Sequence, residues 1–174
     1  MQCGTVNRQR EQSKRRGAVV FEALLWLPVF LIALSAVIEF GMVLNGLHAV
    51  KLAARAGAKH AAELSPGALD DAATDVRSVV DRVLSSSGYK SCEVRLEYTT
   101  CDGVGNGIAG SCPKCTLPVT PLPDSSLVPG GMVRVTVCVD VKDMTPDLLR
   151  WVGASIRNRV AQYSVAFPYE NCPL

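Results

Sequence analysis

From Ala18 to Val50 the chain is one long apolar run, preceded by a basic leader ending Lys14-Arg15-Arg16-Gly17 and interrupted near its start by a single acid, Glu22. A carboxylate inside hydrocarbon is costly, about 2.5–3.5 kcal/mol for Asp at the centre of a span on insertion scales. An acid retained close to the start of such a run is therefore a candidate functional residue. Ala18 to Ile38 covers 21 residues, about 32 Å as a helix, which matches a hydrocarbon core of about 30 Å. A secretory signal peptide shares the basic start and the apolar stretch, but its apolar region runs only about 7–15 residues. Ala33-Leu-Ser35 is a weak small-x-small cleavage site, and the Arg15-Arg16 pair lacks the rest of a twin-arginine signal. The run predicts a membrane anchor.

Charge sets its orientation. The formal net charge of +2 conceals an uneven distribution. Arg8, Arg10, Lys14, Arg15 and Arg16 against Glu11 give residues 1–17 a charge of +4, and the remaining thirteen basic and fifteen acidic residues give −2. Basic residues next to a span stay on the cytoplasmic side. The expected topology is single-pass, with the N-terminus cytoplasmic and the C-terminal domain extracytoplasmic. With a span directly behind it, the basic segment is not read as a nucleic-acid-binding arm.

Cysteine usage points to the same compartment. Of seven cysteines, Cys3 lies in the leader, and Cys92, Cys101, Cys112, Cys115, Cys138 and Cys172 all lie beyond the apolar run. An even set outside the membrane suits disulfides in an oxidising environment. Six cysteines allow fifteen pairings, so connectivity stays open. Cys112-Pro-Lys-Cys115 has the spacing of a redox motif, but an activated first cysteine sits at a helix start. The three prolines in the following Thr-Leu-Pro-Val-Thr-Pro-Leu-Pro forbid that helix. A zinc knuckle needs a second close pair, and Cys92 and Cys101 have eight residues between them. Structural disulfides are the expectation, with no metal and no cofactor. By alternation, Cys92 falls on an apolar strand face and Cys138 on a polar one, so Cys138 is expected to meet a loop or tail cysteine instead.

The pattern downstream is α+β: a long N-terminal transmembrane helix, a second amphipathic helix and a small antiparallel sheet of three to four strands. Residues 18–63 read as one helix, with Lys51, Arg55 and Lys59 forming a polar stripe after it leaves the membrane. Pro28 removes a backbone hydrogen bond and predicts a kink, either functional or a simple irregularity. Ser65-Pro66 predicts the start of the second helix, running to the Ser85-Ser-Ser-Gly88 stop. Strands are expected at Cys92–Tyr98, Met132–Val141 and Arg159–Phe167, with a short helix from Thr145-Pro146 through Trp151. Residues 101–131 read as a cysteine-rich Gly/Pro loop, with a short strand at Thr116–Thr120. The expected division is a 1–17 leader, an 18–63 helix and a 64–174 extracytoplasmic domain. His48 and His60 have no carboxylate or serine at a triad spacing, and no phosphate-binding glycine loop or paired-carboxylate site is visible. The chain is not expected to be an enzyme.

Four features in register, Glu22 five residues past Gly17, Pro28, Ile38-Glu39-Phe40-Gly41 and Ala-Ala-Arg55-Ala-Gly57, resemble the start of TadE-like proteins, the pseudopilins of the tight-adherence (Tad) pilus machinery. The resemblance implies a bacterial inner-membrane subunit cut by a prepilin peptidase between Gly17 and Ala18. The implied partners are that peptidase, other pilin or pseudopilin subunits, the assembly platform and the lipid bilayer, with no nucleic acid. It also implies that Glu22 pairs with an N-terminal amine freed by cleavage, its own or a neighbour's. Glu22, Pro28 and Glu39 are the candidate assembly residues, Glu39 being either a helix-boundary acid or a subunit contact. The alternative function is a membrane-anchored, disulfide-stabilised binding domain unrelated to pili, and a third is a zinc- or thiol-active module.

Overall fold

A computed structural model describes residues 5–65, 68–69, 71–100, 103–116, 118, 120–123 and 131–169, with the backbone alone described for residues 5–19. The first helix, α1 (Thr5–Glu63), is 59 residues long and runs without interruption through Pro28. Its two halves differ in side-chain size. Bulky residues such as Phe21, Leu25, Trp26 and Phe30 are exposed on the lower half. From Ala49 upward, small residues take over, and Ala53, Ala54, Ala58 and Ala61 are fully buried. An alanine stripe lets a helix lie close to its neighbours and loses no rotamer freedom when buried.

Those neighbours are α2 (Ala72–Ser85) and a four-stranded antiparallel sheet. The strands are β1 (Glu93–Thr100), β2 (Gly103–Gly110), β3 (Met132–Asp140) and β4 (Val160–Pro168), in the order β2-β1-β3-β4. Val133, Val135, Val137 and Val139 of β3 are fully buried, as are Val94 and Leu96 of β1, on the face that α1 and α2 cover. The alternation expected for Met132–Val141 places these valines on one face, and β3 follows it. α2 runs antiparallel to α1: Val76 and Val80 meet Gly57, and His60 bonds Asp75.

Several expectations are corrected. The second helix starts at Ala72, not at Ser65-Pro66. Ser65 opens a turn, with the Ala68 N–H donating to its carbonyl, and the chain uses this stretch to reverse direction and bury Leu69 completely. Pro66 and Asp70 lie outside the described residues. The connection 101–131 is not all loop, because Gly103–Gly110 is strand β2. Its core-facing positions carry Gly105, Gly107 and Ala109, paired with Tyr98, Leu96 and Val94. A Cβ at Gly107 would come within 2.9 Å of Ala73, and one at Gly105 would strike the Tyr98 ring. β2 lies where only the smallest side chains fit. Finally, Thr116, Pro118 and Thr120 are not in a strand, Leu117 and Val119 lying outside the described residues.

The other sheet face is covered by a strap, the described residues between 111 and 121, tied by two disulfides. Cys92 pairs with Cys112 and Cys115 with Cys138, with Cα separations of 5.4 and 5.9 Å. Cys138 thus meets a loop cysteine, and the two members of Cys112-Pro-Lys-Cys115 bond to different strands' ends instead of to each other. Cys92 departs from the expected apolar face. It precedes β1 at a bend and joins Cys112, Cys115 and Cys138 in a separate buried cluster. Cys101 and Cys172 lie outside the described residues.

Polar bonds fasten the rest of the strap. The Arg95 guanidinium donates to the Cys115 carbonyl at 3.1 Å, and Arg134 donates to the Thr120 carbonyl at 2.7 Å and to Glu97 at 3.2 Å. The Cys112 N–H donates to Glu93 at 2.6 Å, and Thr116 bonds to Gln162. Thr136, on this face, is fully buried and bonds Ser164 at 2.8 Å.

A Cβ added at Gly57 would lie 2.7 Å from Val80 Cγ2 and 3.4 Å from Val135 Cγ1. Gly57→Val should therefore destabilise the fold by about 1–3 kcal/mol through overpacking, read as a lower midpoint of denaturant unfolding. Gly41→Ala is the control, since nothing lies within 4 Å of a Cβ there. It should not lower the midpoint, since alanine is the better helix former where its Cβ has room.

Candidate functional site

The candidate residues Gly17, Ala18, Glu22, Pro28 and Glu39 all lie on α1. The structure separates them into two groups. Gly17 and Ala18 are within the helical backbone, and Glu22 and Pro28 sit on the exposed lower segment. From Val20 onward this segment is strongly apolar and almost entirely unburied. Its exposed large side chains point all round the helix, among them Phe21, Leu24, Trp26 and Val29. A helix apolar on every side suits a lipid or helical surrounding. The surface is that of a membrane anchor. Ser35 turns its hydroxyl back to the Leu31 carbonyl at 2.8 Å, satisfying the one hydroxyl between Glu22 and Glu39.

Glu39 is different. It is 2% exposed, and its Oε2 accepts the Leu149 N–H at 3.1 Å across 110 positions of sequence. Its Oε1 is buried without a hydrogen-bond partner. The partner of Oε2 belongs to a 3-10 helix, Leu148–Val152, where a short helix from Thr145-Pro146 through Trp151 is expected; it starts at Leu148 instead, and residues 145–147 are not helical. The loop around it is folded on Asp147, a left-handed residue (φ 57°, ψ 53°) whose carboxylate is buried. Asp147 Oδ2 accepts from the Ser155 hydroxyl at 3.1 Å and lies 3.4 Å from Arg157 Nε. Between this loop and α1 runs an open apolar groove of about 820 Å³, lined by Val37, Phe40, Val43, Val141, Leu149 and Ile156 with Glu39 and Arg159. Nothing local in the sequence marks Leu149, because its role comes from a contact with a helix far upstream.

His60 Nε2 lies 2.8 Å from Asp75 Oδ2, a bond between α1 and α2. His48 is exposed on α1. Among the described residues, no three His, Cys, Asp or Glu side chains converge as a metal site would need. The disulfides occupy four cysteines and suit an oxidising compartment.

Losing the charge-assisted bond from Glu39 should free the Leu148–Val152 segment. In Glu39→Ala, amide exchange at Leu149 should accelerate roughly tenfold to hundredfold, the equivalent of about 1.5–3 kcal/mol. Glu39→Gln keeps the accepting oxygen and should retain most of the protection. Hydrogen exchange of the full chain in micelles checks both.

The family model for TadE-like protein matches residues 17–59, or 43 of 174 residues, spanning Gly17, Glu22, Pro28, Glu39 and Gly57. No curated protein and no solved structure matches the chain. Over those residues the chain is similar to TadE-like proteins.

Proposed function

We propose that the chain is a minor pilin or pseudopilin-like subunit of a Tad-type pilus, cut by a prepilin peptidase between Gly17 and Ala18. One observation carries this reading. The lower half of α1 offers apolar side chains on all sides, while its upper half is locked into a disulfide-braced head. Such a subunit can exchange lipid for the helices of other subunits without rearranging its head. The leader (1–17) lies in the cytoplasm, residues 18–38 cross the inner membrane, and the domain from residue 64 lies outside. Glu22 and Pro28 face the membrane or a neighbouring helix on the exposed segment.

Cleavage is tested directly. A small residue before the scissile bond suits a cut close to the membrane surface, so Gly17→Leu should accumulate full-length precursor. N-terminal sequencing of the wild-type protein should begin at Ala18. Normal maturation of Gly17→Leu would overturn the processing step.

Glu22 tests assembly separately. Glu22→Gln removes the charge, keeps the size and should insert at least as well. If the acid pairs with an N-terminal amine in the assembled filament, the variant is cleaved and inserted but the cells lack pili. Breaking a desolvated pair from one side costs about 3–5 kcal/mol, enough to abolish a weak lateral contact. Piliation and processing measured in the same cells separate the two steps, and wild-type piliation would defeat the pairing.

A further inference from the structure

Going up α1, the head touches the helix at successive heights. Leu149 meets Glu39, Met144 lies against Gly46, and Val135 lies against Gly57. From Glu39 to Gly57 is 18 residues, about 27 Å of helix. The segment 141–159 is thus the bottom of the head, and the Glu39 bond holds its 3-10 helix at a known level. That level is one residue past Ile38, where a span beginning at Ala18 has used up about 30 Å of hydrocarbon.

At this height the 3-10 helix exposes Trp151 (66%) and Val152 (42%), with Arg150 exposed beside them. Single exposed apolar residues are ordinary on a protein surface. These two follow Leu149 on the same 3-10 helix, and Leu149 lines the apolar groove with Val37 and Phe40 of α1, both exposed and apolar. Trp is favoured where an apolar ring meets a wet headgroup layer, and Arg can lay its stem on apolar surface while its head reaches phosphate.

We propose that the underside of the head, through Trp151, Val152 and Arg150, seats in the interface of the outer leaflet, making a second contact with phospholipid beside the helix. This inference rests on the reading of residues 18–38 as a span. While the subunit is in the membrane, lipid covers the underside of the head and the mouth of the groove. The head is then fixed in tilt as well as in depth.

The chain's two tryptophans permit a test that separates the seat from the span. Trp26→Phe leaves Trp151 as the only reporter, and Trp151→Phe leaves Trp26. Each full-length variant is reconstituted in vesicles of phosphatidylethanolamine and phosphatidylglycerol containing phosphatidylcholine brominated either near the top or near the end of its acyl chains. Trp26 should lose more emission to the deep bromines, and Trp151 more to the shallow ones, with Trp151 emission shifted to the blue of exposed indole. Quenched Trp26 with unquenched, water-like Trp151 would overturn the seat and leave the span intact. Blue-shifted Trp151 that bromine does not quench, growing with protein density, would place a second copy on the patch and also overturn it. An unquenched Trp26 would remove the span reading and the seat together.

Discussion

The close approach of α1 to α2 and to β3, centred on Gly57, is the contact on which the rest of the structure depends. Gly57 leaves room for Val76, Val80 and Val135, and the alanines above and below it bring the helix axis near the valine face. Each alanine removes little apolar surface from water, so the stability comes from the valines and leucines that the short distance allows it to cover. The same helix continues downward without a break into the apolar segment. The apolar segment and the head therefore share one continuous helix.

A single helix pair covers only one side of a sheet, and a small domain buries a modest fraction of its surface. The strap supplies the second side by a different chemistry. It has few bulky apolar residues and is held by cystines and by charged groups that cross-bond to its backbone. Glu93 is buried because it accepts the Cys112 N–H and pairs with Arg95, and Arg134 because it serves Glu97 and the Thr120 carbonyl together. Two disulfides with sequence separations of 20 and 23 residues restrict the unfolded chain as well. On the chain-entropy account, loops of that size contribute about 3 kcal/mol each.

Where apolar side chains carry the pattern, the sequence was legible. The valines of β3 alternate, the alternation of β4 gave its bounds to within a residue, and the α1 run declares itself by length. β2 was missed because its period-two signal is written in glycine. Gly105 and Gly107 face the core, while Val104 and Ile108 face out, the reverse of the usual half-buried strand. The start of α2 was misplaced because Ser-Pro fits a helix start locally, whereas the tertiary need was to turn and bury Leu69. Cys138 was correctly sent to a loop by its face, but the bend that moved Cys92 off the strand left no mark in the alternation. Of the candidate site, Glu39 was visible as an acid at a boundary. Its bond to Leu149 was not, because a contact across 110 positions has no local signature.

The two acids of α1 show how one helix can treat like residues in opposite ways. Glu22 and Glu39 lie 17 residues apart, about 26 Å along the axis, a separation close to the thickness of a hydrocarbon core, about 30 Å. Glu39 is withdrawn from its surroundings, accepting a backbone N–H from the head, and its neighbours Ala36, Val37 and Phe40 leave it at an apolar groove. Glu22 is exposed on a segment whose other side chains are apolar. A carboxylate within the chain's own reach of a donor can help to position a domain. One left at the surface of an apolar helix draws its stabilisation from whatever surrounds that helix, and the strength of that demand rises as water is excluded. The head-proximal acid thus holds the 3-10 segment through Leu149, and the leader-proximal acid lies exposed on the apolar part of the same helix.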